Sequence, residues 1–405
     1  MKHTLIILTL VLAGMQAQAA SIFRQARENI KKNQNIEQTA KQLLEEAVKP
    51  GMNRDDQFEC YRLAAECSRK LNAVENEKLY LGQKYDTVRF FSTVLDMYDR
   101  MFLADSVDAL PDLKGLSKPR NRKSARADLL PYRPYIQAAG KWYFAKKNYA
   151  EAFRYFDRYI QSSRHPMFER DKFLATDTLM PMTAYLAVVA AHETNNSAGI
   201  IRYSELAKRA GLKNHLIHEF VTQAWKEMGD NNRWVKSLWQ GVQEYPTYTY
   251  FFTNLIDYLT ETNQLDAGMA VADSLSAAEP NLAIAWYAKA LILMRQHRDK
   301  DVIKACDECI SRDDTFAEAY YTKGLAALNL AVIETEQAPT DLTDAAYAEG
   351  QQRIRACYEM AKTPMEHFRK LMPDASDRWA APLYRIYLYL NMGSEFEEMD
   401  RILNP

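Results

Sequence analysis

The apolar positions of this chain follow two periods, the short period of a helix and a longer period of 34 residues. Residues 285–291 (AWYAKAL) recur as residues 319–325 (AYYTKGL), Pro246 and Pro280 are separated by the same interval, and Asp314 follows one interval later. Helical patterns repeated at this length are typical of helix-turn-helix arrays, in which each unit buries its apolar face only against its neighbours. The pattern therefore predicts an all-α fold, an α-solenoid of antiparallel helix hairpins.

The 34-residue register is clear from residue 135 onward, and we expect the repeat array to occupy residues 135–405. Gly140 and Ala152 are small residues at the places where the two helices of a hairpin approach each other most closely. Phe156 would fill the space beside this contact, and residues 146–149 are the expected turn. Weaker matches to the register cover residues 182–212, 220–245 and 383–403.

Residues 20–112 show helical spacing without a clear 34-residue register, so we predict degenerate helical hairpins there. A helix is expected over residues 33–49, and a further helical stretch over residues 79–102. Between them, Asp55 or Asp56 is the expected N-cap of another helix, because a short acidic side chain can accept a hydrogen bond from the first turn.

A basic connector over residues 113–134 interrupts the pattern. It contains seven Lys and Arg residues against one Asp, and it is punctuated by Pro119, Pro131 and Pro134. One interpretation is a basic patch that binds an acidic partner. The other is a solvated loop or the polar face of a helix between two segments of the array. The residues of the candidate patch are Lys118, Arg120, Arg122, Lys123 and Arg126.

Particular residues give the repeat a recognisable form. In one repeat they are Trp286, Ala290, Leu293, Cys306 and Cys309, and in the preceding repeat they are Phe252, Leu255, Ile256, Leu259, Gly268, Ala272, Leu275 and Pro280. The next repeat opens with Tyr320, Lys323, Gly324 and Ala327. Its second helix is delayed by an insertion at residues 334–350 and resumes through Ile354, Cys357 and Met360.

In these positions the chain resembles the tetratricopeptide repeat family, whose first helix carries a large aromatic residue, Leu-Gly and Tyr, and whose second helix carries Ala, an aromatic residue and Ala before a closing Pro. The resemblance implies a right-handed superhelix with a concave groove lined by the first helix of each pair. The residues expected to line the groove are Tyr250, Thr253 and Asp257, then Ile284, Tyr287 and Leu291, then Glu318, Tyr321 and Leu325.

The three groove tyrosines have two interpretations. Tyr250, Tyr287 and Tyr321 would form an aromatic ladder for an apolar peptide or a helix of a partner, or they would pack against the adjacent repeat. The paired Lys and Asn residues with which some members of the family hold a peptide carboxylate are absent at these places.

The first nineteen residues have the form of a signal peptide. Lys2 precedes a short apolar stretch at residues 5–15, and the small residues Ala17 and Ala19 predict cleavage after Ala19. The alternative, an N-terminal membrane anchor, is disfavoured because the stretch is shorter than the roughly 20 residues that span a bilayer. No Cys follows the cleavage site for lipid attachment. We therefore expect an exported protein without a transmembrane segment, located in the periplasm or secreted.

Charge and candidate chemistry add few constraints. A net charge of −1 does not favour nucleic acid as a partner. His215 and His218 have the spacing of a metal pair on one helix face, but a third ligand is not evident. We therefore expect both to be surface histidines near the start of a helix. Cys306 and Cys309 have the spacing of a redox or zinc half-site, yet both fall on core positions of the repeat. We predict no catalytic residue, no metal ligand and no cofactor.

The sequence therefore predicts a non-catalytic periplasmic scaffold that binds a peptide or helix of a partner protein in its concave groove. Through such a partner it could associate with membrane proteins. One alternative is a helical-repeat protein for glycan binding and uptake at the outer membrane, against which the missing lipidation Cys argues. A second alternative is an enzyme with its site inside the helical array. That alternative requires His, Asp and Glu side chains to converge in one pocket.

Overall fold

The computed structural model describes residues 20–111, 114–246, 248–341 and 345–404, and no strand is found in this part of the chain. Its helices pack as consecutive antiparallel pairs, which confirms the predicted all-α array of hairpins. The predicted signal peptide, residues 1–19, lies outside the described residues, as do residues 112 and 113 where the basic connector begins. No helix of the described ranges is long and apolar enough to cross a membrane.

The contacts divide the chain into two units, the first ending at Gly229 and the second beginning at Asp230. The first unit contains eleven described helices. They are α1 (20–32), α2 (Ile36–Ala47), α3 (Arg54–Tyr80), α4 (Thr87–Asp108), α5 (Arg122–Leu129), α6 (Arg133–Ala145), α7 (Tyr149–Ser162), α8 (Phe173–Thr176), α9 (Met180–His192), α10 (Ser197–Lys208) and α11 (Asn214–Glu227). Short 3-10 helices cover Leu130–Tyr132 and Pro166–Asp171.

In the first unit, α3 pairs with α4, α6 with α7 and α9 with α10, and aromatic side chains fill the space between these pairs. The predicted turn at residues 146–149 is confirmed, since α6 ends at Ala145 and α7 begins at Tyr149. A Cβ atom at Gly140 would overlap the ring of Phe156, so the predicted close contact in this hairpin is also confirmed.

The element boundaries expected near the N-terminus were wrong. The helix predicted over residues 33–49 is present as α2, but it begins at Ile36, because Asn33 and Asn35 have left-handed backbone conformations and separate α1 from α2. Asparagine adopts this conformation more readily than most residues. The N-cap of α3 is Asn53, whose side chain accepts a hydrogen bond of 2.9 Å from the backbone N–H of Asp56.

The stretch predicted as one helical run over residues 79–102 contains a turn. α3 ends at Tyr80 and α4 begins only at Thr87, with Asp86 as its N-cap. Gly82 has a φ of 65° in this turn, a conformation that Gly adopts without steric cost.

The second unit contains nine described helices. They are α12 (Asn231–Glu244), α13 (Thr249–Glu261), α14 (Leu265–Ala278), α15 (Ala283–Arg295), α16 (Asp299–Arg312), α17 (Ala317–Gln337), α18 (Tyr347–Leu371), α19 (Ser376–Leu390) and α20 (Gly393–Leu403). The helices pair as α13 with α14, α15 with α16, α17 with α18 and α19 with α20.

The insertion predicted at residues 334–350 lengthens the hairpin of α17 and α18. α17 has 21 residues and α18 has 25, against 13 and 14 for α15 and α16. Ile354 is buried in the core as expected, whereas Met360 is 43% exposed, so its assignment to the apolar face of the second helix was wrong.

Five hairpin turns share one backbone feature. In each, a residue with a positive φ lies two positions before the second helix, which lets the chain reverse within a few residues. These residues are Lys147, Asn195, Asn263, His297 and Asn391, with φ between 53° and 59°. The interval from Asn263 to His297 is the 34-residue period of the sequence.

Candidate partner-binding surfaces

The predicted groove residues lie on helices that are neighbours in the second unit. α13 contacts α15, and α15 contacts α17, so the first helices of three consecutive repeats form one continuous face. We call this the first-helix face, and its candidate binding residues are Tyr250, Asp257, Tyr287, Leu291, Tyr321 and Leu325. Asp257 is exposed and the other five are half-buried.

Tyr287 is held by the repeat that follows it. Its ring centroid lies 4.9 Å from that of Phe316, and its hydroxyl lies 3.4 Å from Oγ1 of Thr322 on α17. Burial raises the pKa of Tyr287 to about 12, although the contact with Thr322 acts in the opposite direction. The phenol is therefore neutral at physiological pH and acts as an apolar side chain with a polar tip.

Tyr321 occupies the equivalent position one repeat later. Its ring centroid lies 4.8 Å from that of Phe368, and the guanidinium of Arg378 lies 4.2 Å above the ring. Arg378 also donates two hydrogen bonds, of 2.8 and 2.7 Å, to the carboxylate of Glu318. This planar, bidentate pairing holds the edge of the face in a defined geometry.

The contacts support packing against the adjacent repeat for Tyr287 and Tyr321, while each keeps part of its surface exposed. Tyr250 makes an edge-to-face contact with Phe251, at a centroid distance of 5.3 Å. Leu291 and Leu325 lie one helical turn beyond Tyr287 and Tyr321, and both are half-buried. The surface of the first-helix face is therefore a row of half-buried Tyr and Leu side chains rather than three free tyrosine rings.

Sequence reasoning missed Arg378 as a member of this face. It lies 60 residues from Glu318 and on the following hairpin, outside the three repeats from which the groove residues were taken. Arg378 could have been identified from the position of α19 as the next first helix in the array. In that position the N-terminal residues of α19 lie beside those of α17.

The arginines of the basic connector are engaged within the first unit. Arg122 donates hydrogen bonds of 2.8 and 3.1 Å to Asp105, Arg126 forms a bidentate pair with Asp171, and Arg120 pairs with Asp55 at 2.8 Å.

Asp108 strengthens the attachment of the connector. One of its oxygens accepts hydrogen bonds from the backbone N–H groups of Arg120 and Asn121, at 2.7 and 2.9 Å. Through its arginines the connector is therefore bound to α4 and to the segment before α8, while the basic patch that binds an acidic partner stays a prediction. The remaining members of the candidate patch, Lys118 and Lys123, are exposed and are not part of these three arginine pairs.

The cysteines and histidines that suggested chemistry have different surroundings. Cys306 and Cys309 are fully buried, which confirms their assignment to the repeat core, and burial raises the pKa of both thiols to about 12. His218 is also buried, so its interpretation as a surface histidine was wrong. Within the described ranges, no group of three His, Cys, Asp or Glu side chains is placed to hold a metal ion.

No protein-family model and no curated protein matches the chain. Solved structures of tetratricopeptide repeat proteins are similar to it. The C-terminal part of a TPR repeat-containing protein from Cytophaga hutchinsonii has 10% identity and a TM-score of 0.42, over 64% of this chain and 91% of that one.

Two further structures have 13% identity to this chain. YrrB, a TPR protein with an unusual peptide-binding site, has a TM-score of 0.34 over 50% of this chain and 98% of its own. A TPR repeats protein from Bacteroides fragilis has a TM-score of 0.32 over 67% of this chain and 98% of its own. Since all three TM-scores are below 0.5, the fold rests on the helix pairing of the chain itself.

Proposed function

We propose that this chain is a non-catalytic, exported scaffold that binds a peptide or helix of a partner protein on its first-helix face. The observation that carries the proposal is the contact of α13, α15 and α17, which aligns equivalent positions of successive repeats. A surface built from repeated positions can bind an extended or helical segment at several points at once, as repeat proteins do.

The chemistry of the face favours an apolar segment. Leu291 and Leu325 stand at equivalent positions, and each is half-buried and lies one helical turn beyond a half-buried tyrosine. Tyr and Leu side chains supply contact area at low cost in conformational entropy, and their alignment sets a repeated spacing for the partner.

The periplasm is the proposed location, because residues 1–19 have the charge, apolar stretch and small residues of a signal peptide. We further propose that any association with a membrane occurs through a bound partner. Export is tested by expressing the chain with its first nineteen residues and determining the N-terminal residue of the periplasmic product. An N-terminus at residue 20 is expected, and an uncleaved or cytoplasmic product would contradict this part of the proposal.

The binding function is tested with the immobilised mature protein and periplasmic extract of the source bacterium. A partner that uses the first-helix face should be retained by the native chain and lost with Leu291→Lys combined with Leu325→Lys. A charge-matched control is Gln337→Lys combined with Gln352→Lys, since both glutamines are exposed elsewhere in the second unit. Asp257→Lys, at an exposed position of the same face, is the second face variant.

Two outcomes would overturn this function. Retention of the same proteins by the native chain and by both face variants would show that another surface binds them. Recovery of polysaccharide without protein, supported by specific binding on a glycan array, would favour the glycan-binding alternative.

A further inference from the structure

The turn between α9 and α10 carries a sequence motif that the proposed function does not use. Asn195, Asn196 and Ser197 form the triplet Asn-X-Ser, and no other Asn of the chain is followed two residues later by Ser or Thr. This triplet is the acceptor motif for N-linked glycosylation, which attaches a glycan to surface loops of exported proteins. Because so short a motif also arises by chance, the geometry of the turn decides whether Asn195 can carry a glycan.

The side chain of Asn195 is exposed in this turn. α9 ends at His192 and α10 begins at Ser197. The backbone N–H of Asn195 donates to the carbonyl oxygen of His192 at 3.1 Å, and its backbone is left-handed, with a φ of 53°. No hydrogen bond to the side-chain amide of Asn195 is found among the described residues. The amide nitrogen can therefore be modified without the loss of a structural contact.

The two residues that follow Asn195 have structural roles in the folded chain. The side chain of Asn196 caps α10 by accepting a hydrogen bond of 2.9 Å from the backbone N–H of Gly199. The hydroxyl of Ser197 donates a hydrogen bond of 2.5 Å to the carboxylate of Glu227. Since the acceptor motif includes this hydroxyl, we expect glycan transfer on the extended chain, before α10 forms and engages Ser197.

Comparison with the equivalent hairpin turns separates the motif from the needs of the backbone. Of the five turns with a positive-φ residue two positions before the second helix, two have a Lys or a His at that place, so the conformation does not require Asn. Asn263 and Asn391 have the same place in two other turns, and neither is followed two residues later by Ser or Thr. Only Asn195 combines this exposed turn position with the acceptor motif.

The surroundings of Asn195 leave room for a glycan. Glu193 and Thr194 on its N-terminal side are exposed, and so is Ala198 in the first turn of α10. An acidic side chain thus lies two residues before the acceptor Asn, and a small side chain lies three residues after it. A glycan on Asn195 would extend into solvent from the end of the hairpin and cover these residues, so the folded chain can carry it.

We propose that Asn195 is an N-glycosylation site of the exported chain. The proposal rests on the export that forms part of the proposed function, and not on binding at the first-helix face. The co-reactant is an oligosaccharide linked through a diphosphate to a polyprenol, and the catalyst is an oligosaccharyltransferase. The amide nitrogen of Asn195 forms a bond to the anomeric carbon of the first sugar. The bond from that carbon to the diphosphate oxygen breaks, the polyprenyl diphosphate leaves with the electron pair, and the amide gives one proton to the transferase.

The test is mass spectrometry of the full chain purified from the periplasm of its source bacterium. Trypsin cleaves after Lys172 and after Arg202, and the peptide between these sites, residues 173–202, contains the one acceptor motif of the chain. We expect this peptide to carry the additional mass of a glycan, and electron-transfer fragmentation to localise that mass to Asn195.

Four variants expressed in the same bacterium make the test specific. Asn195→Asp should abolish the added mass and keep the turn, because Asp also tolerates a positive φ. Ser197→Ala should abolish it as well, whereas Ser197→Thr keeps the hydroxyl of the motif and should keep the glycan. The matched control is Asn263→Asp, since Asn263 is exposed at the equivalent turn position without the motif. This substitution should leave the glycan on the native site.

The N-terminal residue is determined on the same sample, which separates this proposal from the proposed function. An N-terminus at residue 20 together with an unmodified peptide 173–202 would overturn the glycosylation site and leave export intact. An uncleaved, cytoplasmic product would contradict export, and with it this proposal. A glycan that persists in Asn195→Asp would also overturn the proposal, because its attachment site would then lie elsewhere in the chain.

Discussion

Arg133 on α6 and Asp177, 44 residues later, form an ion pair in which Nη1 lies 2.6 Å from Oδ2. The exposed fractions of the two side chains are 7% and 9%. The hydroxyl of Tyr159 donates a second hydrogen bond of 2.6 Å to the same carboxylate oxygen, and the guanidinium lies 3.7 Å from the centroid of the Tyr159 ring and 4.1 Å from that of Phe173. This cluster joins α6 and α7 to the segment that precedes α9.

Replacing Arg133 should be costly because it leaves a buried carboxylate without its cation. Arg133→Met is expected to lower the free energy of unfolding by about 3–5 kcal/mol, measured by urea denaturation. Adding Asp177→Leu should recover part of the loss, since both charges are then removed. Arg154→Met is the control, because Arg154 is 56% exposed and its ion pair lies at the surface. Equal losses for the two arginines would contradict the assigned role.

The same cluster should make stability depend on acid pH. Burial by itself raises the pKa of Asp177, but the hydrogen bonds from Tyr159 and Arg133 outweigh it and hold the pKa below its ordinary value. A carboxyl whose pKa is lower in the folded state stabilises the fold above its unfolded pKa of about 3.9, and this stabilisation is lost as the pH falls through the folded pKa.

The measurement is the difference in unfolding free energy between the native chain and Asp177→Asn. We expect this difference to be constant between about pH 7 and 5 and to shrink as the pH falls below about 4. A difference that grows with acidification would show that the folded pKa is raised instead.

Gly324 is the strongest test of the repeat register. A Cβ atom at this position would lie 2.8 Å from Cε of Met365 and 3.6 Å from the carbonyl oxygen of Ala361, across the α17–α18 contact. Gly324→Trp is therefore expected to destabilise the second unit by about 3 kcal/mol or more, as overpacking does. Gly393→Trp is the control, since nothing lies within 4 Å of a Cβ atom there. An unchanged melting curve for Gly324→Trp would contradict the register.

The cysteines should differ in reactivity. Burial raises the pKa of Cys60, Cys306 and Cys309 to about 12 and that of Cys67 to about 11, so these thiols carry little thiolate at pH 8. Cys357 is half-buried, and its pKa is raised by partial burial. Titration of the native chain with a chromogenic disulfide at pH 8 should modify Cys357 first, and the other four only in denaturant. Rapid native labelling of Cys306 or Cys309 would contradict their core position.

Adjacent residues of the basic connector should behave differently. Arg122→Ala removes both hydrogen bonds to Asp105, a carboxylate that is 6% exposed, and should lower the unfolding free energy by about 2 kcal/mol. Lys123→Ala removes the neighbouring positive charge from an exposed side chain and should change stability by less than about 0.5 kcal/mol. If the lysine substitution were the more destabilising, the connector would not be attached through its arginines.

Local features of the array were predictable because they depend on residues close together in the sequence. Helical periodicity and the 34-residue interval predicted antiparallel hairpins, and the small residues Gly140 and Gly324 marked close helix contacts. The same register assigned Cys306 and Cys309 to the core. Each of these inferences uses side-chain spacing within one hairpin or between adjacent hairpins, where helix geometry alone decides which side chains meet.

Long-range pairings were decided only by the tertiary structure. The sequence showed Arg122 and Arg126 as members of a basic run, and nothing in their spacing indicated that Asp105 and Asp171 would neutralise them. The partners of Arg133 and Arg378 are likewise 44 and 60 residues away. An ion pair depends on where two side chains lie in space, and the packing of separate hairpins, which sequence periodicity does not specify, sets that distance.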